Sequence, residues 1–359
     1  MPPEPRRTVL DVPPAVHGAL DFEELQRLGM HPDEVLDFSS NTNPYGASPA
    51  VRAAVANTAW DRYPDREALA LRAALAEALA VPAGRILAGN GASELILLAA
   101  LAFVRPGDAV LVVGPTYGEY ARAAALMGGR VTTWQARAEN EFAPDAAAIA
   151  DRLRRISPRL VFVCNPNNPT GAALPPEALA ALARQRSATL FVVDEAYQPL
   201  AADLGSATGI VAENVLVLRS MTKDGGLAGL RLGYAVGPEP LVAALRRVQP
   251  PWSVNALAQA AGIAALGDPA HRARSLELIG AAKVGLIAGL TRLGLRLVPS
   301  VVPFFLVCVG DGAAFRRALL TRGVLVRDCA SSGLSEYVRI STRRPEENER
   351  LLAAIREVL

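Results

Sequence analysis

Arg219-Ser220-Met221-Thr222-Lys223, followed by Gly229-Leu230-Arg231-Leu232-Gly233-Tyr234, is the stretch on which the reading of this chain turns. It follows the apolar run Val215-Leu216-Val217-Leu218, so Lys223 is expected in a loop at the C-terminal end of a buried strand. Open α/β sheets bind their ligands at that end. A lysine among hydroxyls, with an arginine eight residues on, suits an amine that forms an imine with an aldehyde beside a phosphate. Ser220, Thr222 and Arg231 are the candidates to hold the phosphate oxygens. A solvated loop lysine has much the same local sequence, so the weight comes from the rest of the chain.

The same pattern recurs on either side. Leu160-Val161-Phe162-Val163 runs into Cys164-Asn165-Pro166-Asn167-Asn168-Pro169-Thr170-Gly171, and Leu190-Phe191-Val192-Val193 into Asp194-Glu195-Ala196-Tyr197. Val110-Leu111-Val112-Val113 leads to Gly114-Pro115-Thr116-Tyr117. Arg85-Ile86-Leu87-Ala88 leads to Gly89-Asn90-Gly91-Ala92-Ser93-Glu94 and an apolar helix, whose first N–H groups are free to face an anion. Apolar strands alternating with helical stretches predict an α/β fold with a mainly parallel sheet covered by helices. The polar candidates all fall at strand C-terminal ends. A dinucleotide fingerprint fails because Glu94 stands where its third glycine belongs, and no Gly-Lys-Ser/Thr of a P-loop occurs.

The chain's 359 residues exceed what one core usually serves, and 51% are apolar against 20% charged, so two well-filled domains are expected. A net charge of +2 without a basic stripe argues against nucleic acid or a membrane surface as partner. Cys164, Cys308 and Cys329 are odd in number and far apart, and three scattered histidines form no ligand cluster, so neither disulfides nor a metal is expected. The Pro-rich start has no apolar leader, and the run Leu95 to Val104 is too short for a membrane span, so a cytoplasmic location is expected.

The organisation reads as an N-terminal arm over 1–45 that packs with the small domain, a large domain over 46–248 and a small α+β domain over 249–359. Helices are predicted over Phe22 to Leu28, Arg66 to Ala80 and His271 to Leu293. In the tail, strands are predicted over Phe304 to Val309, Val324 to Arg327 and Tyr337 to Ile340, with helices near Ala313 and Glu346.

Taken together, Asn-Pro-x-Asn-Pro-Thr-Gly, Asp-Glu-x-Tyr and Ser-x-Thr-Lys with its following Arg resemble the fold-type I pyridoxal-phosphate aminotransferase family, in the family's order, from Asn41 to Arg339. The resemblance implies pyridoxal 5′-phosphate as cofactor, with a large domain and a smaller C-terminal one. It makes Lys223 the Schiff-base lysine and proton shuttle, and Asp194 the partner of the pyridinium nitrogen, which keeps the ring an electron sink. Asn168 and Tyr197 would hold the phenolic oxygen, and Tyr117 would stack on the ring. Ala92, Ser93, Ser220, Thr222 and Arg231 would take the phosphate, joined by Tyr63 from the neighbouring subunit of a homodimer with shared active sites. Arg339 matches the family's carboxylate-binding arginine.

Within the family the chain is similar to two subfamilies acting on phosphorylated substrates, L-threonine-O-3-phosphate decarboxylases and histidinol-phosphate aminotransferases. Four segments favour the decarboxylase: His17-Gly18, Leu36 to Pro44, Pro251 to Ala256, and Val326 to Cys329. The expected activity is therefore decarboxylation of L-threonine O-3-phosphate in cobalamin biosynthesis, with the transaminase of histidine biosynthesis, or another class I/II aminotransferase, as the alternative. Asn43, His17, Arg327 and Arg339 are the expected substrate residues, His17 and Arg327 supplying charge to its phosphate. His17-Gly18-Ala19 departs from the decarboxylase's His-Gly-Gly. Asp224-Gly225-Gly226 replaces an aromatic-rich pair after Lys223 and leaves open whether Asp224 faces the site.

Overall fold

The computed structural model describes residues 3–201, 203–210 and 212–359. Its centre is a seven-stranded sheet in the order Ile86–Gly89, Gly233–Val236, Val215–Ser220, Leu190–Asp194, Leu160–Cys164, Ala109–Gly114, Arg130–Gln135. Only Gly233–Val236 runs antiparallel to its neighbours. Successive side chains of a strand point to opposite faces, and here both faces are covered. Phe162, Val192, Leu216 and Leu218 pack beneath the helix Gly91–Phe103. Val161, Val163, Phe191, Val193 and Val217 pack against Ile149, Leu153, Leu179 and Leu182 of the helices Ala146–Ile156 and Pro176–Gln185. The strand Arg130–Gln135 lacks an apolar run because it forms the sheet edge, where no residue is fully buried.

The expected boundary at 248 does not hold in the packing. Helix Ala256–Leu266 lays Ala258 and Ala261 against Leu71, Leu75, Ile86 and Val236, which belong to the large sheet and its cover. The chain leaves that body through the helix Pro269–Arg292, capped by Asp268 and spanning about 36 Å at 1.5 Å per residue. Its later turns bury Leu286 and Leu290 in a separate core.

That second core sits on an antiparallel sheet ordered Arg327–Asp328, Tyr337–Ser341, Phe304–Cys308, Arg296–Leu297. The segment Val324 to Arg327 is not one strand. Val324–Leu325 pairs in parallel with Leu36–Asp37 of the arm, and after Val326 the strand Arg327–Asp328 turns to pair with Tyr337–Ser341. Phe38, with no exposed surface, fills the core among Phe305, Val338, Ile340 and Leu351. The arm helix Phe22–Leu28, capped by Asp21 and closed by Gly29 in the left-handed conformation, is pinned by Glu24, whose carboxylate accepts two bonds from Arg316 at 2.7 and 2.5 Å. Truncating a buried phenylalanine costs about 3–5 kcal/mol. Phe38→Ala is therefore expected to lose that much in urea unfolding, although residue 38 lies far in sequence from the rest of its core; a loss below ~1 kcal/mol would mean the arm packs independently.

Candidate active site

Strand register brings the candidates together. Cys164 is the partner of Asp194, Asp194 of Leu218, and Ser220 of Gly233, so the loops after these strands open on one rim. Above that rim lies a cavity of about 1440 Å³. Lys223, Asp194, Tyr197, Ala92, Ser93, Tyr117, Asn168, Ser220, Thr222, Arg231, His17, Arg327 and Arg339 all line it. Asn43 and Tyr63 do not.

The Asn-Pro-x-Asn-Pro-Thr-Gly loop shows why its residue types are needed. Asn165 exchanges hydrogen bonds with the backbone of Leu174, and Asn167 donates to Pro115 O and Thr170 Oγ1. Those two side chains close the turn, which leaves Asn168 to face the cavity, where its Oδ1 accepts from Arg339. Arg339 also donates to Ser39 O. Lys223 lies with its Nζ 5.6 Å from the Tyr197 ring centre, and the Tyr197 hydroxyl accepts from Asn41 Nδ2 at 3.3 Å. Asn41 Oδ1 is buried and has no partner among the described residues.

At the other end, Ser220 and Thr222 share a 2.6 Å hydroxyl contact beside the start of helix Gly91–Phe103. Gly91, with φ +77°, holds a left-handed conformation that favours glycine, and the Arg231 guanidinium lies 2.9 Å from where its Cβ would be. A helix N-terminus, two hydroxyls and an arginine are groups able to hold phosphate oxygens.

Asp194 is buried, and its oxygens accept from Tyr120 Oη at 2.7 Å and from Ala196 N at 2.9 Å. Burial raises its carboxyl above the ordinary value of 3.8, with Tyr120, the Ala196 N–H and Lys223 pulling it back. Its neighbour Glu195 faces the other way, into a buried ion pair with Arg219 at 2.9 Å. Burial drives the Tyr117 phenol up to about 12, and its hydroxyl lies 3.4 Å from Ser93 Oγ.

Two expectations need correcting, and one open question is answered. Asn43 is placed under the Lys223 loop rather than in the cavity: its N–H donates to Lys223 O at 2.8 Å and its side chain to Asp224 O at 3.0 Å. His17 does not join the arginines, because the carboxylate of Glu119 takes its Nε2 at 2.9 Å. Only its carbonyl, with that of Val16, reaches Arg327, at 2.8 Å each. Asp224 turns from the cavity to Arg272 of the long helix, at 3.0 Å. Tyr63 is 78% exposed and stacks on Trp252 at 4.6 Å, outside its own cavity.

Sequence reasoning missed Tyr120, Asn41, Glu119 and the arm residues Asp11 to Val16, all of which line the cavity. Tyr120 had no local signal, since three residues after Tyr117 it reads like any core tyrosine. Asn41 had none either, its partner Tyr197 lying 156 residues away. The arm had none, since its place depends on Arg327, more than three hundred residues away.

The class I and II aminotransferase family model matches residues 33–355. The chain belongs to that family. It is 39% identical to histidinol-phosphate aminotransferase 2 of Ralstonia nicotianae, over 97% of this chain and 95% of that one. Among solved structures it resembles histidinol-phosphate aminotransferase from Sinorhizobium meliloti in complex with pyridoxal-5′-phosphate, at TM-score 0.88 and 26% identity over 98% of both chains. It resembles L-threonine-O-3-phosphate decarboxylase from Porphyromonas gingivalis less, at TM-score 0.78 and 27% identity, over 89% of this chain and 98% of that one. The decarboxylase expectation is thereby overturned: the relatives that match nearly end to end at the higher identity are histidinol-phosphate aminotransferases. Among the described residues no helix is long and apolar enough to cross a membrane.

The Asp194 environment yields a pH test. A carboxyl whose folded pKa is raised holds its proton more tightly in the folded state. Its contribution to stability is complete below the unfolded value and is lost as pH rises through the folded one. In cofactor-free protein, Asp194→Asn is expected to match the parent in urea below pH 3.8 and to exceed it at neutral pH. Equal midpoints across that range would contradict the raised carboxyl.

Proposed function

We propose that this chain is a pyridoxal 5′-phosphate-dependent aminotransferase that carries the amino group of L-histidinol phosphate to a 2-oxo acid. The observation that carries the reading is the pairing of Arg327 and Arg339 as register partners on adjacent strands, both lining the cavity that holds Lys223. Burial, and after it repulsion from Arg339, lowers the affinity of Arg327 for its proton.

The residues fit the cofactor. The cradle of Ala92, Ser93, Ser220, Thr222 and Arg231 takes its phosphate, Tyr117 covers its ring, and Asn168 and Tyr197 hold its phenolic oxygen. Asp194 is a carboxylate already aligned by two donors for a ring N–H⁺. Pyridoxal phosphate supplies the electron sink that loosens bonds at the substrate Cα. Lys223, the lysine of the cavity, takes the Cα proton and returns it on the far side of the exchange. Arg327 and Arg339 hold the donor's phosphate, then the carboxylate of the acceptor. One cationic corner thus serves two anionic substrates in turn, whereas a decarboxylase of a phosphorylated amino acid has to hold phosphate and carboxylate together.

A homodimer completes the site in this reading. Tyr63, Trp60 and Trp252 are exposed together, at 78%, 79% and 44%, and a partner's Tyr63 reaching the phosphate cradle accounts for an aromatic pair left outside its own cavity.

Cofactor-loaded protein is expected to form glutamate from histidinol phosphate and 2-oxoglutarate, and to release no CO2 from L-threonine O-3-phosphate. Lys223→Ala should lower glutamate formation by about three orders of magnitude or more, as loss of a nucleophile and base does. CO2 without glutamate would reject the reading. Arg327→Ala removes a charge-assisted bond of about 1.5–3 kcal/mol, so kcat/KM for histidinol phosphate should fall roughly 10- to 100-fold. Histidinol, without the phosphate, should lose little; an equal loss for both would remove Arg327 from phosphate recognition.

A further inference from the structure

Tyr120 is the largest fully buried polar side chain that the site residues above leave without a role. It lies at the start of the helix Glu119–Leu126, 1% exposed, with its ring stacked on Phe162 at 5.2 Å and edge-on to Tyr117 at 5.6 Å. Its hydroxyl donates to Asp194 Oδ2 at 2.7 Å across 74 residues of sequence. The other carboxylate oxygen accepts from the Ala196 N–H, and the described residues place no arginine or histidine in hydrogen-bond contact with either oxygen. The titratable groups that face Asp194 from the surrounding elements are Cys164 on the adjacent strand, Tyr117 and Tyr120 on the covering turn and helix, and Lys223 on the following loop.

We infer that Tyr120 is a positioning residue whose phenol O–H fixes the Asp194 carboxylate and keeps the cofactor's ring proton on nitrogen. The inference rests on the reading of Asp194 as the partner of that nitrogen. A proton on the line between ring nitrogen and carboxylate has two places: on nitrogen, giving an ion pair, or on oxygen, giving a neutral acid and a neutral ring. Burial favours the neutral pair, because both charges lose their hydration. Hydrogen bonds donated to the carboxylate favour the ion pair. Two such donors are present, and one of them is a side chain that can be changed. The phenol keeps its own proton throughout, since burial and the nearby carboxylate raise its pKa well above the ordinary range. Only one proton is therefore in play, and only its position shifts.

Tyr120→Phe removes the donor and keeps the ring in its place between Phe162 and Tyr117. The experiment loads parent and variant with pyridoxal 5′-phosphate carrying ¹⁵N in the ring and records the nitrogen chemical shift by NMR. In parallel, the carboxyl ¹³C of Asp194 is titrated in the cofactor-free proteins. The parent is expected to show a protonated nitrogen. The variant should move toward the unprotonated shift, with kcat lower by about tenfold or more, KM little changed, and the cofactor-free Asp194 midpoint displaced upward. A parent nitrogen without a proton would overturn the Asp194 reading and this inference with it. A protonated parent nitrogen whose shift is unmoved in the variant would overturn the role of Tyr120 alone. Loss of kcat or of thermal stability without the nitrogen shift would make Tyr120 a packing residue and would equally overturn it.

Discussion

The structure depends on two carboxylates placed where water is absent. Asp194 and Glu195 are consecutive, sit at the end of a central strand and are both buried. Their solutions differ. Glu195 takes an ion pair with Arg219, reinforced by Ser206 and the Ala207 N–H. Breaking such a pair by removing one partner leaves an uncompensated charge, which costs more than the pair itself contributes. The Glu195–Arg219 contact therefore ties the Asp194 strand to the strand that ends in Ser220, and Lys223 follows three residues later. Asp194 has neutral donors only, so its charge remains available to a cation brought by a ligand.

The same economy of charge runs through the joint between the two bodies. Arg316 holds the arm helix by Glu24, Arg272 holds the Lys223 loop by Asp224, and Arg327 holds the arm by two carbonyls. Gly226 adds a steric condition to the same loop: a Cβ there meets Gly46 C at 2.6 Å, so the turn after Lys223 is seated against the arm's exit with no room for a side chain. Together these contacts place one cationic corner from the small sheet over a lysine from the large one. The cavity is in that sense a product of the joint, although most of its chemistry comes from a single sheet.

How much was legible follows from what each residue's partner is. The central strands were read from their apolar runs because both faces of the sheet are covered. The edge strand Arg130–Gln135 was not, since exposure leaves no pattern to read. Lys223, Asp194, Tyr197 and Asn168 could be expected on one cavity because each follows a strand in a short, locally determined loop. Tyr120, Asn41 and Glu119 were missed because their partners are remote, and nothing local distinguishes a tyrosine that supports a carboxylate from one that fills a core. The contact of His17 with Glu119 was out of reach for the same reason: its sequence neighbours say nothing of a residue 102 positions away.

The choice between decarboxylase and transaminase failed for a different reason. The segments that favoured the decarboxylase have structural employment. Ser253 donates to the carboxylate of Glu94, and Asn255 caps the helix Ala256–Leu266. Asp37 turns its own loop by accepting from Ser39 and Ser40, and Val326 and Cys329 are core residues. Each is required by the scaffold, whichever bond is broken. A scaffold shared by two reactions keeps such residues in both, so their presence carries no weight between them. What distinguishes the reactions is which substituent at Cα is held perpendicular to the cofactor ring, and that is set by where the anionic groups are anchored. Here that means the separation of Arg327 and Arg339 from Lys223, a distance between two sheets that no single segment of sequence encodes.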